Sequence, residues 1–195
     1  MKSTQALVRP LVTTGLLLAA GSAFAHPGHD SSSFFSGFSH PLSGADHLLA
    51  MLAVGLYAGT QKGAARWALP GAFVLSMILG ALLAQMGVAF PAVEAGIAAS
   101  VLVLGLLIAS AARLPLALSA PVIGAFALCH GAAHYAEKGG AGLASFAAGF
   151  VLATAALHGV GYLLARWTPQ TAIAATLQRG LGVVVAGAGL VMLGN

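Results

Sequence analysis

At residues 40–47 the chain reads His-Pro-Leu-Ser-Gly-Ala-Asp-His, directly before an apolar stretch that runs to Thr60. Imidazole and carboxylate groups are costly to place in lipid, so ionisable residues at the mouth of a membrane-spanning segment usually serve a function. Pro41 and Gly44 lie among these ionisable residues and disfavour a continuous helix there. The stretch therefore predicts a membrane span with an irregular beginning, whose free backbone groups line a cavity.

The composition of the whole chain supports a membrane protein. Hydrophobic residues make up 59% of the 195 residues, and charged residues make up only 6%. Soluble domains carry several times more charge, whereas a polytopic membrane protein needs very little. Pairs of small residues at helix-contact spacing, such as Gly105/Ala109 and Gly182/Ala186, favour closely packed helices. We expect an all-α fold, a polytopic membrane helix bundle, with the lipid bilayer as a partner.

The first 25 residues have the three parts of a secretory signal peptide. A basic segment precedes an apolar core, and Ala23-Phe24-Ala25 matches a cleavage site. Cleavage would leave residues 26–39 as a periplasmic leader and residues 40–195 as the membrane domain; the alternative is an uncleaved first helix. The mature chain would hold six basic and four acidic residues, an excess too small to predict a nucleic-acid partner.

Six apolar stretches follow the signal peptide and predict six transmembrane helices. Their connections are short, so we expect consecutive helices to pack as antiparallel neighbours. With the mature N-terminus in the periplasm, five of the six lysine and arginine residues of the mature chain fall on the cytoplasmic side, in agreement with the positive-inside rule. We therefore expect a multi-pass protein of the bacterial inner (cytoplasmic) membrane. The stretches are 40–60, 67–88, 92–112, 116–136, 143–165 and 171–193.

This orientation collects ten of the eleven histidine and acidic residues at the periplasmic face. Imidazoles with a few carboxylates suit nickel, cobalt, copper or zinc, whereas magnesium and calcium prefer oxygen ligands. The sequence therefore predicts a site for a divalent transition metal at this face. We expect its ligands to come from His40, Asp46, His47, Glu94, His130, His134 and Glu137.

The spacing of these residues predicts part of the geometry. His130, His134 and Glu137 are four and three residues apart, so they share one face of the fourth span. Asp46 points about 100° away from His47 on a helix. Asp46 is therefore either a second ligand or a group that orients an imidazole of another helix.

The roles of four further residues stay open at the level of the sequence. His158 lies deep in the fifth span and is either a second station toward the cytoplasm or a packing histidine. The leader residues His26 and His29 form either a metal-capturing arm or a solvated segment. Glu94 is included by its position alone, and the alternative is that it faces lipid headgroups.

Two signatures resemble those of the HupE/UreJ family, small bacterial membrane permeases for nickel with some members linked to cobalt. The first is His, five residues and Asp-His, present from His40 to His47; the second is His-Gly-x-x-His-x-x-Glu, present from His130 to Glu137. Around the second signature the family usually has Phe before the first histidine and Gly after the second, where this chain has Cys129 and Tyr135. The resemblance implies nickel uptake, often linked to hydrogenase or urease assembly. It also implies a metal-handling set of His40, Asp46, His47, His130, His134 and Glu137.

We expect a permease and not an enzyme, with no permanent cofactor and with Ni²⁺, Co²⁺ or Zn²⁺ as the transported ion. No Walker-type ATP-binding sequence is present. One alternative is an intramembrane metal-dependent hydrolase with Asp46 or Glu94 as its base, although position 131 is glycine and not the glutamate of a metalloprotease His-Glu-x-x-His. Another is a bis-histidine haem protein. The sequence leaves open the choice of ion, the energy coupling and the existence of a homo-oligomer.

Overall fold

The computed structural model describes residues 34–138, 142–167 and 171–194, and in these ranges every regular element is an α-helix. The expected all-α fold is therefore confirmed for the described residues. The predicted signal peptide and the leader residues His26 and His29 lie outside them. The helices are α1 (Phe34–Ser43), α2 (Ala45–Thr60), α3 (Ala65–Gln85), α4 (Val93–Ala109), α5 (Leu116–Glu137), α6 (Leu143–Trp167) and α7 (Ala172–Leu193).

Four of these helices, α3, α5, α6 and α7, are long and apolar enough to cross a membrane. Helices α1 and α2 meet the same requirement only as a pair, and α4 is a shorter apolar helix of 17 residues. By length and composition the described residues therefore hold four spans, or five if the bent pair counts as one. The expected total of six spans requires α4 to be a span as well, and it stays a prediction.

The first predicted span is broken at Gly44. This residue has an extended backbone (φ −103°, ψ 123°), and α1 and α2 meet there with a bend of 87°. The predicted irregular beginning is thus confirmed. The bend separates His40, on α1, from His47, on α2. The predicted domain boundary at residue 40 falls inside α1, which packs against α6.

The most extensive helix contacts join α3 with α5, α4 with α7, and α2 with α6. None of these pairs is consecutive. Consecutive helices also pack against each other in the pairs α1–α2, α2–α3 and α4–α5, so the expectation of consecutive neighbours holds for these pairs but does not describe the most extensive contacts. Close backbone approach decides the pairing. A Cβ atom on Gly131 of α5 would collide with the carbonyl oxygen of Met77 on α3, so only glycine permits this contact beside the histidines of α5.

The two small-residue pairs named from the sequence meet each other in the structure. A Cβ atom on Gly105 would collide with the backbone of Ala186, and one on Gly182 with the backbone of Ala109. The pair on α4 therefore packs against the pair on α7, and the prediction of closely packed helices is confirmed here. This contact holds the short helix α4 in the bundle, with Ser100 facing α5.

We expect Gly182→Ala to lower the free energy of unfolding by about 1–3 kcal/mol, because the added methyl group has to push α4 and α7 apart. Gly187→Ala on the same helix is the control, since a Cβ atom there meets no heavy atom within 4 Å. The control should keep or raise stability, by up to about 1 kcal/mol, because alanine favours helix over glycine. Denaturation midpoints of both variants in detergent measure the difference; equal midpoints would contradict the packing described.

Candidate metal centre

Histidines from α1, α2 and α5 converge at one end of the bundle, where they form two groups that share one ring. In the inner group, ligating atoms of His47, His130 and His134 all lie within 4.8 Å of one another. In the outer group, those of His40, His134 and Glu137 do the same. The sequence-derived prediction that the first and fourth spans would converge on one site agrees with this arrangement.

The inner group is buried in an apolar surrounding. The exposed fractions of His47, His130 and His134 are 6%, 0% and 4%. The ring centroids of His47 lie 4.9 Å from His130 and 4.4 Å from His134. Among the described residues, at least one nitrogen of each ring has no hydrogen-bond partner. Unpaired buried polar atoms are costly, and a bound cation is a partner that would satisfy them.

Asp46 holds the His47 ring in one tautomer. Its Oδ1 atom accepts a hydrogen bond from Nδ1 of His47 at 2.8 Å and another from the His47 backbone N–H at 2.7 Å. A carboxylate only accepts hydrogen bonds, so Nδ1 carries the proton and Nε2 carries the lone pair. Nε2 is the buried atom without a partner. Of the two roles left open for Asp46, the structure favours the orienting one, although the ring that it orients is on its own helix.

Ser100, on α4, fixes the tautomer of the His130 ring, which belongs to α5. The Ser100 hydroxyl donates to the carbonyl oxygen of Ile97 at 2.6 Å, so its oxygen is free to accept from Nε2 of His130 at 3.1 Å. The proton of His130 is then on Nε2, and the lone pair is on Nδ1, which is buried and has no partner among the described residues. Ser100 is absent from the set of site residues predicted from the sequence. The only signal for it was its place in a small-residue pair with Gly96, which itself lies against Cys129 on α5.

The outer group is more exposed and carries the carboxylate. The Nε2 atom of His40 donates to Oε2 of Glu137 at 2.7 Å, and Nδ1 of His134 lies 3.6 Å from the same oxygen. The side chains of His40 and Glu137 are 26% and 44% exposed. A cavity of about 220 Å³ opens beside them at the break between α1 and α2, and Asp46 and His47 also line it.

Besides Asp46, two of the described residues predicted from the sequence lie outside both groups. Glu94 is exposed in the first turn of α4, at the same end of the bundle. His158 is deep in α6 with an exposed fraction of 3%, and neither of its ring nitrogens has a partner among the described residues. The ring of Phe73 contacts both His130 and His158. Its centroid lies 5.3 Å from the ring centroid of His130 and 5.1 Å from that of His158.

The donor atoms of the two groups suit a divalent transition metal. The inner group offers three imidazoles, and the outer group offers two imidazoles and a carboxylate. Such nitrogen-rich sets bind nickel, cobalt, copper or zinc and bind magnesium or calcium poorly. Asp46 and Ser100 each hold a ring from outside these sets, as is usual for metal-ligating histidines.

The chain is similar to known proteins over most of its length. The family model described as HupE / UreJ protein matches residues 14–192. Protein HupE of Rhizobium leguminosarum bv. viciae is 40% identical over 186 residues, which cover 93% of this chain and 97% of that protein. No solved structure gives a significant match. The resemblance that was drawn from two short signatures therefore extends to the overall sequence and is confirmed.

We expect metal-free protein to hold His130 with its proton on Nε2, and we expect Ser100→Ala to lose that preference. ¹⁵N NMR of histidine-labelled protein measures the tautomer directly, because protonated and bare ring nitrogens resonate far apart; a His130→Gln variant identifies the signal. Ser119→Ala is the matched control, since Ser119 is buried on α5 and donates to the carbonyl of Pro115. A proton on Nδ1 of His130 in the wild type would contradict the assignment.

Proposed function

The chain belongs to the HupE/UreJ family, and we propose that it is a permease that carries a divalent transition-metal ion, Ni²⁺ or Co²⁺, across the inner membrane. The observation that carries the proposal is the pair of overlapping ligand groups that share His134. One group is partly exposed beside a cavity and the other is buried, so they form two successive positions along a path into the bundle.

In this proposal the ion enters the cavity at the break between α1 and α2. Glu137 and His40 give up their mutual hydrogen bond for the incoming ion; the proton on Nε2 of His40 passes to water in the cavity, and the freed lone pair and the carboxylate replace part of the ion's water shell. The carboxylate supplies the negative charge that favours capture of a dication. His47, on the same cavity, belongs to the next group and is within reach of the ion.

The ion then passes to the inner group as the His134 ring exchanges its outer partners for His47 and His130. Both ring nitrogens of His134 lack a hydrogen-bond partner among the described residues, so neither is committed to one group. Because imidazoles contribute no negative charge, the inner group attracts a dication less strongly than a site rich in carboxylates would. Moderate binding of this kind is what a conducting path needs, since the ion also has to leave.

We propose His158 as the next station toward the cytoplasm. It is buried, its nitrogens are unpartnered among the described residues, and it lines a cavity of about 370 Å³ between α3 and α6. That cavity also contacts Arg66, near the start of α3 and hence at the far end of the bundle from the two groups. Glu94, His26 and His29 stay predicted contributors to capture at the outer face.

For the topology we propose six spans after a cleaved signal peptide, with the mature N-terminus in the periplasm. The bent pair α1–α2 would be the first span and α4 the third, and 17 residues are about the minimum for crossing the hydrocarbon layer. The family comparison gives no support to the alternative of an intramembrane hydrolase. A link to hydrogenase or urease maturation rests on the family resemblance.

We expect purified protein in nanodiscs to bind one Ni²⁺ or Co²⁺ per chain, because both groups need the single ring of His134. His134→Ala should weaken binding by more than the roughly 10- to 100-fold that follows loss of a group that merely orients a ligand. His40→Ala removes only the outer group and should leave the buried one able to bind. Isothermal titration calorimetry measures stoichiometry and affinity; two independent ions per chain would contradict the shared-ligand arrangement.

Radiolabelled nickel uptake tests transport itself in cells that express the wild type, His134→Ala and the control Ser119→Ala at equal levels. We expect background uptake for His134→Ala and wild-type uptake for the control, because Ser119 is buried on the same helix but lies outside both groups. Competition by unlabelled Co²⁺ and Zn²⁺ ranks the ions. Full uptake by His134→Ala would defeat the proposal.

We expect the mature protein to begin at His26, because the apolar core and the small residues at positions 23 and 25 match a cleavage site. Intact-mass spectrometry of protein purified from membranes measures the terminus. An Ala25→Leu variant, which blocks the site, should retain the first 25 residues. A wild-type mass that includes Met1 and Lys2 would instead support an uncleaved first helix.

A further inference from the structure

A cavity of about 720 Å³ lies at the end of the bundle opposite the histidines. It is formed where α2, α4 and α6 end and where α7 begins, with lining residues that include Gln61, Ile108 and Ala175. The metal groups, in contrast, lie where α2 begins and α5 ends. The cavity is therefore separate from the proposed path for metal capture.

Four basic side chains line this cavity, and no acidic one does. The described acidic residues Asp46, Glu94 and Glu137 are all at the other end of the chain's helices. Four like charges around one space repel each other, more so near a low-dielectric membrane interior than in water. The cavity thus has a strong positive potential that an anion would relieve. The four residues are Lys62, Arg113, Arg166 and Arg179.

The remaining polar groups of the cavity add hydrogen-bond donors. The side-chain Nε2 atom of Gln178 is buried and has no partner among the described residues. Arg179 uses its Nε atom to donate to the carbonyl oxygen of Ala109 at 2.8 Å, which caps the end of α4 and fixes the position of the guanidinium. Its other N–H groups keep their capacity to donate. The ligand that matches such a lining is an anion with several acceptor oxygens.

We propose that this cavity binds a phosphate group, carried either by an anionic lipid headgroup or by a free phosphate ion. Arginine pairs with phosphate through two parallel N–H donors, and three arginines are available here. The volume exceeds what a phosphate ion alone requires and has room for a glycerophosphate headgroup. The positive-inside rule accounts for basic residues at this end, but not for the convergence of four of them on one cavity that holds an unpaired amide donor.

Thermal unfolding of the full chain in nanodiscs tests the proposal. In one arm, about a third of the phosphatidylcholine is replaced by phosphatidylglycerol; in the other, the discs stay neutral and inorganic phosphate is added against chloride of equal ionic strength. We expect one of these two additions, phosphatidylglycerol or inorganic phosphate, to raise the melting temperature of the wild type by about 3 °C or more. A gain with phosphatidylglycerol alone identifies the headgroup, and a gain with inorganic phosphate identifies the free ion.

The double variant Arg113→Gln/Arg166→Gln should lose this gain. Arg66→Gln should keep it, because Arg66 is at the same end of the bundle but does not line the cavity. If the double variant does not fold, Lys62→Gln, at an exposed position, should show a smaller gain than the wild type. No gain in either arm for the wild type, or an undiminished gain in the cavity variants, would overturn the proposal. Neither result depends on whether the chain transports metal.

Discussion

The burial of three imidazole rings among apolar helices is the constraint on which the rest of this structure depends. Each ring keeps at least one nitrogen without a partner among the described residues. Leaving such an atom unpaired costs about 1–3 kcal/mol. The fold does not supply a hydrogen-bond partner to every ring nitrogen. It satisfies one nitrogen of His47 and one of His130, through Asp46 and Ser100, and leaves the other nitrogen of each ring without a partner in a group whose ligating atoms lie within 4.8 Å of one another.

The outer group differs from the inner group because it is partly exposed. In the proposed permease, it is the group that a hydrated dication would meet first. The break at Gly44 turns α1 by 87° away from α2, and this turn brings His40 next to Glu137 of α5. In the proposed path, the partly exposed carboxylate of Glu137 would attract the ion, and the buried imidazole rings lie behind it. Because His134 belongs to both groups, the proposed change from exposed to buried ligation would need rearrangement of one side chain and not of a helix.

The described acidic residues and most of the described basic residues lie at opposite ends of the bundle. The small net charge of the chain does not reveal this separation. The described acidic residues are at the histidine end, and four basic residues surround the cavity at the opposite end. A total of charges therefore says little about partners when a bilayer separates the two ends. The excess of positive charge around one cavity is what predicts a ligand there.

Much of the site could be predicted from the sequence, because its decisive contacts are local. The spacing of His130, His134 and Glu137 places them on one helix face, and Pro41 with Gly44 predicts the break in the first span. The long apolar stretches determine the all-α class, since a continuous apolar segment of about 20 residues in lipid satisfies its backbone hydrogen bonds within a helix.

Only the tertiary structure decided which helices are neighbours, that Ser100 holds His130, and that Glu94 lies outside both groups. These relations join residues far apart in sequence. They follow from close backbone contacts such as Gly105 with Ala186 and Gly131 with Met77, where the fit of two surfaces, and not the pattern of either helix alone, determines the pairing.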